Sequence, residues 1–267
     1  MTELVTIDTN DAVAHVRLNR ADKYNALSLE MIAAIIEVGE SLLGAKDVRA
    51  VVLSGNGKGF CAGLDFESFQ ALVGVEASGG IDQLLARDHR PENYIQRCAY
   101  IWKQLPMPVV VAVHGVAYGG GLQIMLGADI RIGAPDTRLS VMEIKWGLVP
   151  DIAITQTLRD LVRLDVAKEL VYSGRVVNAQ EAVQLGLLTR IADDPLAKAS
   201  ALAAEIAAKS PHAIRAGKKL LNEGWHAEPA TGLRLESTLQ ATLLTSENQV
   251  EAVTANFEKR EPRFKDP

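Results

Sequence analysis

The sequence predicts an α/β protein, and two features of the chain indicate this fold class. Strand-like stretches alternate with amphipathic helical stretches over roughly the first half of the chain. From about Leu196 onward the pattern is helical, and Pro195, Pro211 and Pro229 divide it into separate helices. We therefore expect a core of residues 1–195 and a helical C-terminal region of residues 196–267.

A strand hairpin is expected at the N-terminus. Residues 5–7 and 12–18 alternate apolar and polar side chains around a turn at Asn10-Asp11. Ser28 is a suitable cap for the next helix, and residues 50–53 form an apolar run typical of a buried strand. The apolar face of that helix is expected to consist of Leu29, Ile32, Ala33, Ile36 and Leu43.

The middle of the chain changes character. Residues 73–92 are rich in glycine and polar side chains and indicate a long loop, which in enzymes often forms a lid. A helix is expected from 93 to 105, ended by Pro106, and buried strands are expected at 109–113 and 128–132.

Composition excludes several classes of protein. The 267 residues are 48% hydrophobic and 23% charged, as in ordinary globular proteins, and the formal charge of −5 argues against a nucleic-acid partner. No apolar run is long enough to span a membrane, and no signal peptide is recognised. The scattered histidines and the two cysteines, Cys61 and Cys98, do not have the spacing of metal ligands, so we expect no metal. Such a small number of cysteines fits a reducing compartment, so we expect a cytoplasmic protein.

A glycine turn at Gly119-Gly120-Gly121 follows an apolar strand and opens an apolar helix. Glycines let a ligand approach the backbone closely, and the N–H groups at a helix N-terminus bind anions. The same three small residues could equally allow the helix to pack tightly on the sheet. The spacing matches neither a dinucleotide-binding nor a phosphate-loop fingerprint.

A second turn, residues 59–65, also follows a strand and a glycine loop. Two such turns could converge on one oxygen atom. Cys61 lies in this turn without a neighbouring histidine, which favours a small buried thiol over a nucleophile.

Further segments join these two turns in a pattern that runs nearly the whole chain: Leu18-Asn19-Arg20, Asn25-Ala26-Leu27, 59–65, 115–121, 128–131, Ser173-Gly174-Arg175, Ala182 with Gly186-Leu187, and 257–260. In this order they resemble the crotonase superfamily, also called the enoyl-CoA hydratase/isomerase family. The resemblance implies a ββα spiral core with a C-terminal helical trimerisation region. It also implies a homotrimer, or a hexamer built as a dimer of trimers.

The resemblance further implies that the backbone N–H groups of Leu64 and Gly120 bind the carbonyl oxygen of an acyl-CoA thioester. Preorganised donors at this oxygen stabilise an enolate, and the loss of one such donor typically costs about 100- to 1,000-fold in rate. Coenzyme A would then enter as part of the substrate, and no permanently bound cofactor is expected.

The acid–base residues separate the reactions of this family. Hydratases of the family carry two glutamates, at the positions of Gln123 and, twenty residues later, Glu143. An amide cannot accept and return a proton as an acid–base group near neutral pH, so Gln123 cannot replace a glutamate. Glu143 with Asp151 resembles the dienoyl-CoA isomerases, which however carry an aspartate at the Gln123 position. Glu143 alone resembles the simple enoyl-CoA isomerases.

We therefore expect an enzyme that shifts a double bond, with Glu143 as acid and base and Asp151 orienting the substrate or acting as a second acid. Two alternatives stay open at this point, namely an enoyl-CoA hydratase and a relative that binds coenzyme A or RNA without turnover. The remaining residues expected to bind the substrate or coenzyme A are Lys23, Tyr24, Ala62, Asp65, Gly119, Gln123, Met142, Trp146 and Lys259, the last across a subunit boundary.

Overall fold

The computed structural model describes residues 3–65, 67 and 85–267. The lid expected at 73–92 therefore lies outside the described residues over 73–84. The described residues form nine strands: β1 (Val5–Asn10), β2 (Val13–Leu18), β3 (Ala50–Gly55), β4 (Val109–Val113), β5 (Val116–Tyr118), β6 (Ile130–Gly133), β7 (Arg138–Ser140), β8 (Val177–Asn178) and β9 (Arg190–Ile191).

These strands make two sheets. The larger has the order β1-β2-β3-β4-β6-β9 and is parallel apart from the β1–β2 hairpin. The smaller has the order β5-β7-β8, with β5 parallel and β8 antiparallel to β7. Because a short connection carries the chain from β4 into β5, the two sheets lie close together where the glycine turn begins.

Ten α-helices complete the described residues: α1 (Leu29–Leu43), α2 (Tyr94–Gln104), α3 (Gly120–Leu126), α4 (Ile154–Thr157), α5 (Leu164–Ser173), α6 (Ala179–Leu185), α7 (Pro195–Ala207), α8 (Pro211–Gly224), α9 (Pro229–Leu243) and α10 (Glu247–Glu258). The predicted α/β class and the helical C-terminal region are confirmed. Each of the three predicted prolines occupies the first position of its helix, where a missing N–H costs nothing.

The hairpin is confirmed with its turn displaced by one residue. Asn10 pairs with Val13, so Asp11 and Ala12 form the turn, with φ of 49° and 62°. Positive φ at both central residues is the turn geometry that matches the twist of a two-residue hairpin.

Helix α1 begins where predicted, because the Ser28 side chain accepts a hydrogen bond from the Met31 N–H at 3.2 Å. Its predicted apolar face is partly wrong, since Ala33 is exposed and Leu43 is 37% exposed. The buried face consists of Met31, Ile32, Ile35, Ile36, Gly39 and Leu42.

Helix α7 packs on the larger sheet. Its buried Ala199, Ala203 and Ala207 recur every four residues and contact the same apolar cluster as Val52 and Val110. Helix α9, in contrast, has no buried residue in the described chain. The division of the chain at residue 195 stays a prediction. Among the described residues, no helix is long and apolar enough to cross a membrane.

Candidate active site

The two glycine turns lie side by side. The Cys61 N–H donates to the Val116 carbonyl and the Tyr118 N–H to the Cys61 carbonyl, both at 3.0 Å. Gly63 has φ of +88°, and a Cβ on it would lie 2.7 Å from the Tyr118 carbonyl oxygen and 3.6 Å from the Gly120 nitrogen. Only glycine fits so close an approach of two backbones, which explains why the turn needs this residue.

This geometry leaves two N–H groups available in one place. The Leu27 N–H donates to Gly63 O at 2.8 Å and the Asp65 N–H to Leu27 O at 3.0 Å, a bridge that does not use the Leu64 N–H. Gly120 is the first residue of α3, where the N–H has no acceptor within the helix. The structure thus brings the two predicted donors together.

A cavity of about 490 Å³ opens onto these donors, within the size range of small-molecule sites. Its wall is apolar apart from two carboxylates. It is lined by Leu27, Leu29, Ile32, Ala62, Gly63, Leu64, Leu85, Ile95, Gly119, Gly120, Met142, Glu143, Trp146, Leu148, Val149, Asp151 and Ile152.

Glu143 begins a short 3-10 turn, Glu143–Trp146, that follows β7. Its Oε1 accepts a hydrogen bond from Gln123 Nε2 at 2.6 Å, whereas its buried Oε2 has no partner among the described residues. Burial raises the pKa of this carboxyl above its ordinary value, and the nearby Asp151 charge raises it further. A carboxyl with a raised pKa and one free oxygen suits general acid–base chemistry at neutral pH.

Gln123 is fully buried in α3. Its Oε1 accepts a hydrogen bond from the Ile152 N–H at 2.8 Å, and its Nε2 donates to Glu143. Gln123 therefore connects the loop after Trp146 to the carboxylate, and its side chain does not line the cavity.

Three other residues that the sequence assigns to the active site line the cavity with Glu143, namely Asp151, Met142 and Trp146. Burial raises the pKa of Asp151 as well. Trp146 is 53% exposed at the rim, with Lys145 Nζ 5.7 Å from the centre of its ring.

The structure gives Asp65 a different position from the one expected for a substrate contact. It is absent from the cavity lining, and its Oδ2 accepts a hydrogen bond from Arg20 at 2.6 Å. The guanidinium lowers the pKa of Asp65. Arg20 also donates to the Ala26 carbonyl at 3.0 Å. Asp65 thus holds the loop before Leu27 against the turn that carries Leu64.

Of the residues expected to bind coenzyme A, Tyr24 contacts the turn that carries Ala62. Tyr24 has φ of 51°, and its carbonyl accepts the Ala62 N–H at 2.9 Å. Lys23 is exposed, with its Nζ 4.0 Å from Glu67 Oε1. Lys259 caps α10 and is exposed. The roles of these residues toward coenzyme A stay predictions.

The sequence did not single out several residues of the cavity wall: Leu27, Leu29, Ile32, Leu85, Ile95, Leu148, Val149 and Ile152. Leu29 and Ile32 were assigned to the core face of α1, and they line the cavity from that helix. The sequence contains an indication for Leu148 and Val149 as cavity residues, because they are two consecutive apolar residues between a glycine and a proline.

Cys61 is confirmed as a buried thiol, because burial raises its pKa to about 12 and its Sγ donates to the Asn25 carbonyl at 3.1 Å. Such a thiol is not a nucleophile at neutral pH.

Comparison with known proteins connects this site to one family. The model of the enoyl-CoA hydratase/isomerase family matches residues 8–267. The chain belongs to the enoyl-CoA hydratase/isomerase family, a part of the crotonase superfamily. Relatives of this family are named as hydratases or isomerases, so the protein is an enzyme of one of these two types.

Individual members are similar over nearly their whole length. A Bacillus subtilis protein that carries the enoyl-CoA hydratase/isomerase name is 34% identical over 96% of this chain and 95% of its own. A peroxisomal Δ(3,5)-Δ(2,4)-dienoyl-CoA isomerase of Arabidopsis thaliana is 31% identical over 98% of this chain and 96% of its own. The crystal structure of an enoyl-CoA hydratase from Bacillus anthracis superimposes with a TM-score of 0.88 at 29% identity, covering 98% of this chain and 99% of that one.

Proposed function

We propose that this family member is an enoyl-CoA or dienoyl-CoA isomerase. The observation that carries the proposal is the pairing of Gln123 with Glu143, because it leaves a single oxygen of this carboxylate without a hydrogen-bond partner among the described residues, in the cavity that Leu64 and Gly120 also line. One base that removes and returns the same proton is sufficient for isomerisation, whereas an amide at position 123 cannot supply a second proton-transfer group.

The chemistry follows from this arrangement. The thioester oxygen of a 3-enoyl-CoA would accept the N–H groups of Leu64 and Gly120. Glu143 Oε2 takes a proton from C2, and the electron pair moves onto the thioester oxygen to form an enolate. The electrons then return to make the C2–C3 double bond, and C4 takes the proton back from Glu143. Donors fixed in advance at the enolate oxygen lower the barrier to both steps.

Asp151 would orient the acyl chain or protonate it at a more distant carbon. The pKa of Asp151 is raised by burial, so a protonated form near neutral pH is favoured relative to a solvated aspartate. With a 3,5-dienoyl-CoA the proton returns at C6, which would lie farther from Glu143 than C4 does. A second acid could then deliver the proton to C6.

The test is to incubate the protein with 2-trans-enoyl-, 3-enoyl- and 3,5-dienoyl-CoA in deuterated water and to identify the products by mass spectrometry. A product with a migrated double bond, of which only a part has taken up deuterium, supports the proposal. A 3-hydroxyacyl-CoA as the main product of the 2-trans-enoyl substrate would show that the enzyme is a hydratase.

Hydration of 2-trans-enoyl-CoA is the second candidate, and one observation favours it. Glu143 Oε2 is buried without a partner, and buried polar atoms of this kind often hold an ordered water. A water held there could attack C3 while Glu143 takes its proton, and Glu143 would then return this proton to C2 of the enolate.

A further inference from the structure

We propose that Gln123 is a positioning residue that holds Glu143 Oε1 in place, so that Oε2 alone transfers protons. The inference rests on the proposed function, because it assigns the part that Gln123 plays in the proton transfer by Glu143. A glutamine without contact to the reacting atoms thereby decides which oxygen of the catalytic carboxylate is active.

The direction of the Gln123 amide follows from its backbone partner. The Ile152 N–H is a donor, so the atom of Gln123 that lies 2.8 Å from it must be the carbonyl oxygen. The amide nitrogen must then face Glu143 Oε1, at 2.6 Å. Both ends of the side chain are engaged, which fixes its rotation in the fully buried position.

Gly119 also lies close to Oε1. A Cβ on this glycine would lie 3.2 Å from Oε1, and its φ is +50°. Oε1 therefore lies close to both the Gln123 amide and the glycine turn. Oε2 lies farther from the same Cβ position, at 3.9 Å, and is buried without a hydrogen-bond partner among the described residues. The two oxygens of one carboxylate thus have different environments.

Other charged groups near Glu143 do not account for this difference. Asp151 lines the same cavity and raises the pKa of Glu143 through its charge. Lys145 follows on the same turn, and its Nζ lies over the Trp146 ring. The Gln123 donor has the opposite effect to Asp151, because it favours the charged form and lowers the pKa of Glu143.

Two variants separate the hydrogen bonds of Gln123. Gln123→Glu retains an acceptor for the Ile152 N–H and places a carboxylate oxygen against Oε1. Gln123→Met removes both hydrogen bonds at similar volume. In each variant the loss of the donor raises the pKa of Glu143, so the acidic limb of kcat/KM against pH moves to higher pH. Loss of the fixed orientation lowers kcat by about 10- to 100-fold. Met125→Leu, a buried change on the same helix away from the cavity, should leave the limb in place.

The decisive readout does not depend on the reaction. The carboxyl group of Glu143 is titrated by infrared difference spectroscopy in the free enzyme, with the Glu143→Gln spectrum subtracted to identify its band. A shift to higher pH in both variants of Gln123, with none in Met125→Leu, supports the inference. An unchanged titration in folded Gln123→Glu and Gln123→Met proteins overturns it, even if the enzyme proves to be an isomerase. Hydration as the only wild-type activity would overturn the proposed function instead.

Discussion

At the scale of single residues, the site depends on one carboxyl group whose charge is disfavoured by its surroundings. Glu143 is largely buried in an apolar cavity, and this burial raises its pKa. A carboxyl group kept in this environment lowers the stability of the folded protein. Functional sites often sacrifice stability for reactivity in this way.

Glu143→Gln should lower kcat by about 100- to 10,000-fold, the range for loss of a general acid–base group, while binding of a coenzyme A thioester is retained. The same variant should be more stable than wild type at neutral pH. The folded pKa lies above the unfolded value of 4.5, so the wild-type free energy of unfolding falls as pH rises from that value through the folded pKa. Thermal melts at pH 4 and pH 7 measure this: the difference in Tm should be larger at pH 7, and equal differences would contradict it.

Gly119→Ala tests the close approach behind the carboxylate. The added Cβ would meet Glu143 Oε1 at 3.2 Å with a backbone φ of +50°, so the carboxylate must shift and kcat should fall by about 100-fold. Gly217→Ala is the matched control, because a Cβ on this glycine of α8 meets nothing within 4 Å. That control should retain full activity and gain about 0.5–1 kcal/mol of stability in urea unfolding. Equal activity of the two variants would refute the role of Gly119.

At the scale of elements, the sequence predicts most of the strands and helices but less of what they contact. The apolar run at 109–113 and the cap at Ser28 are local signals, and both are confirmed. The face of α1 was predicted less well, because Ala33 and Leu43 are exposed and because Leu29 and Ile32 line the cavity. Local periodicity cannot separate an apolar core from an apolar binding site.

The same limit applies to the candidate site. The positions of Leu64, Gly120 and Glu143 followed from motifs and a family resemblance, and the structure brings these three residues to one cavity. The contact between Gln123 and the Ile152 N–H could not be predicted, since it joins residues 29 apart through a side chain. The contact of Asp65 with Arg20 joins residues 45 apart and has no local signal either.

Helix α8 is held to the core by a buried lysine. Lys218 Nζ donates to Asp129 Oδ2 at 2.7 Å and to the carbonyls of Met107 and Trp102 at 3.0 and 3.2 Å. Lys218→Met removes the cation beside Asp129, whose Oδ2 then keeps only the Val109 N–H at 2.7 Å, and takes the donor from the two carbonyls. We therefore expect a loss of about 3–5 kcal/mol in urea unfolding. Lys219→Met, an exposed neighbour paired with Glu223, should change stability by less than about 0.5 kcal/mol. Similar losses in both variants would contradict the anchoring role.

At the scale of the whole molecule, the charge of the cavity indicates the kind of acyl group that fits. Glu143 and Asp151 are the charged residues of its described wall, and residues 68–84 contain no lysine, arginine or histidine. The described wall of the cavity therefore contains no cation that could balance a carboxylate at the end of the acyl group. A charge buried without a partner is strongly disfavoured.

We therefore expect the enzyme to act on hydrocarbon acyl groups and to discriminate against acyl groups that end in a carboxylate, by about 100-fold or more in kcat/KM. The comparison uses two enoyl-CoA substrates of equal length, one ending in a methyl and one in a carboxylate group. Met142→Lys, which adds a cation to the wall, should narrow the difference. Equal kcat/KM for the two substrates with the wild-type enzyme would contradict the assignment.

In the proposed mechanism, Glu143 moves one proton along the acyl chain of a bound thioester. The most direct measurement uses 3-enoyl-CoA deuterated at C2, incubated with enzyme in ordinary water and analysed by mass spectrometry. We predict a 2-enoyl-CoA product that carries part of the deuterium at C4 with wild type, and substrate with its label still at C2 with Glu143→Gln. Migration of the double bond at the wild-type rate in Glu143→Gln would contradict this mechanism.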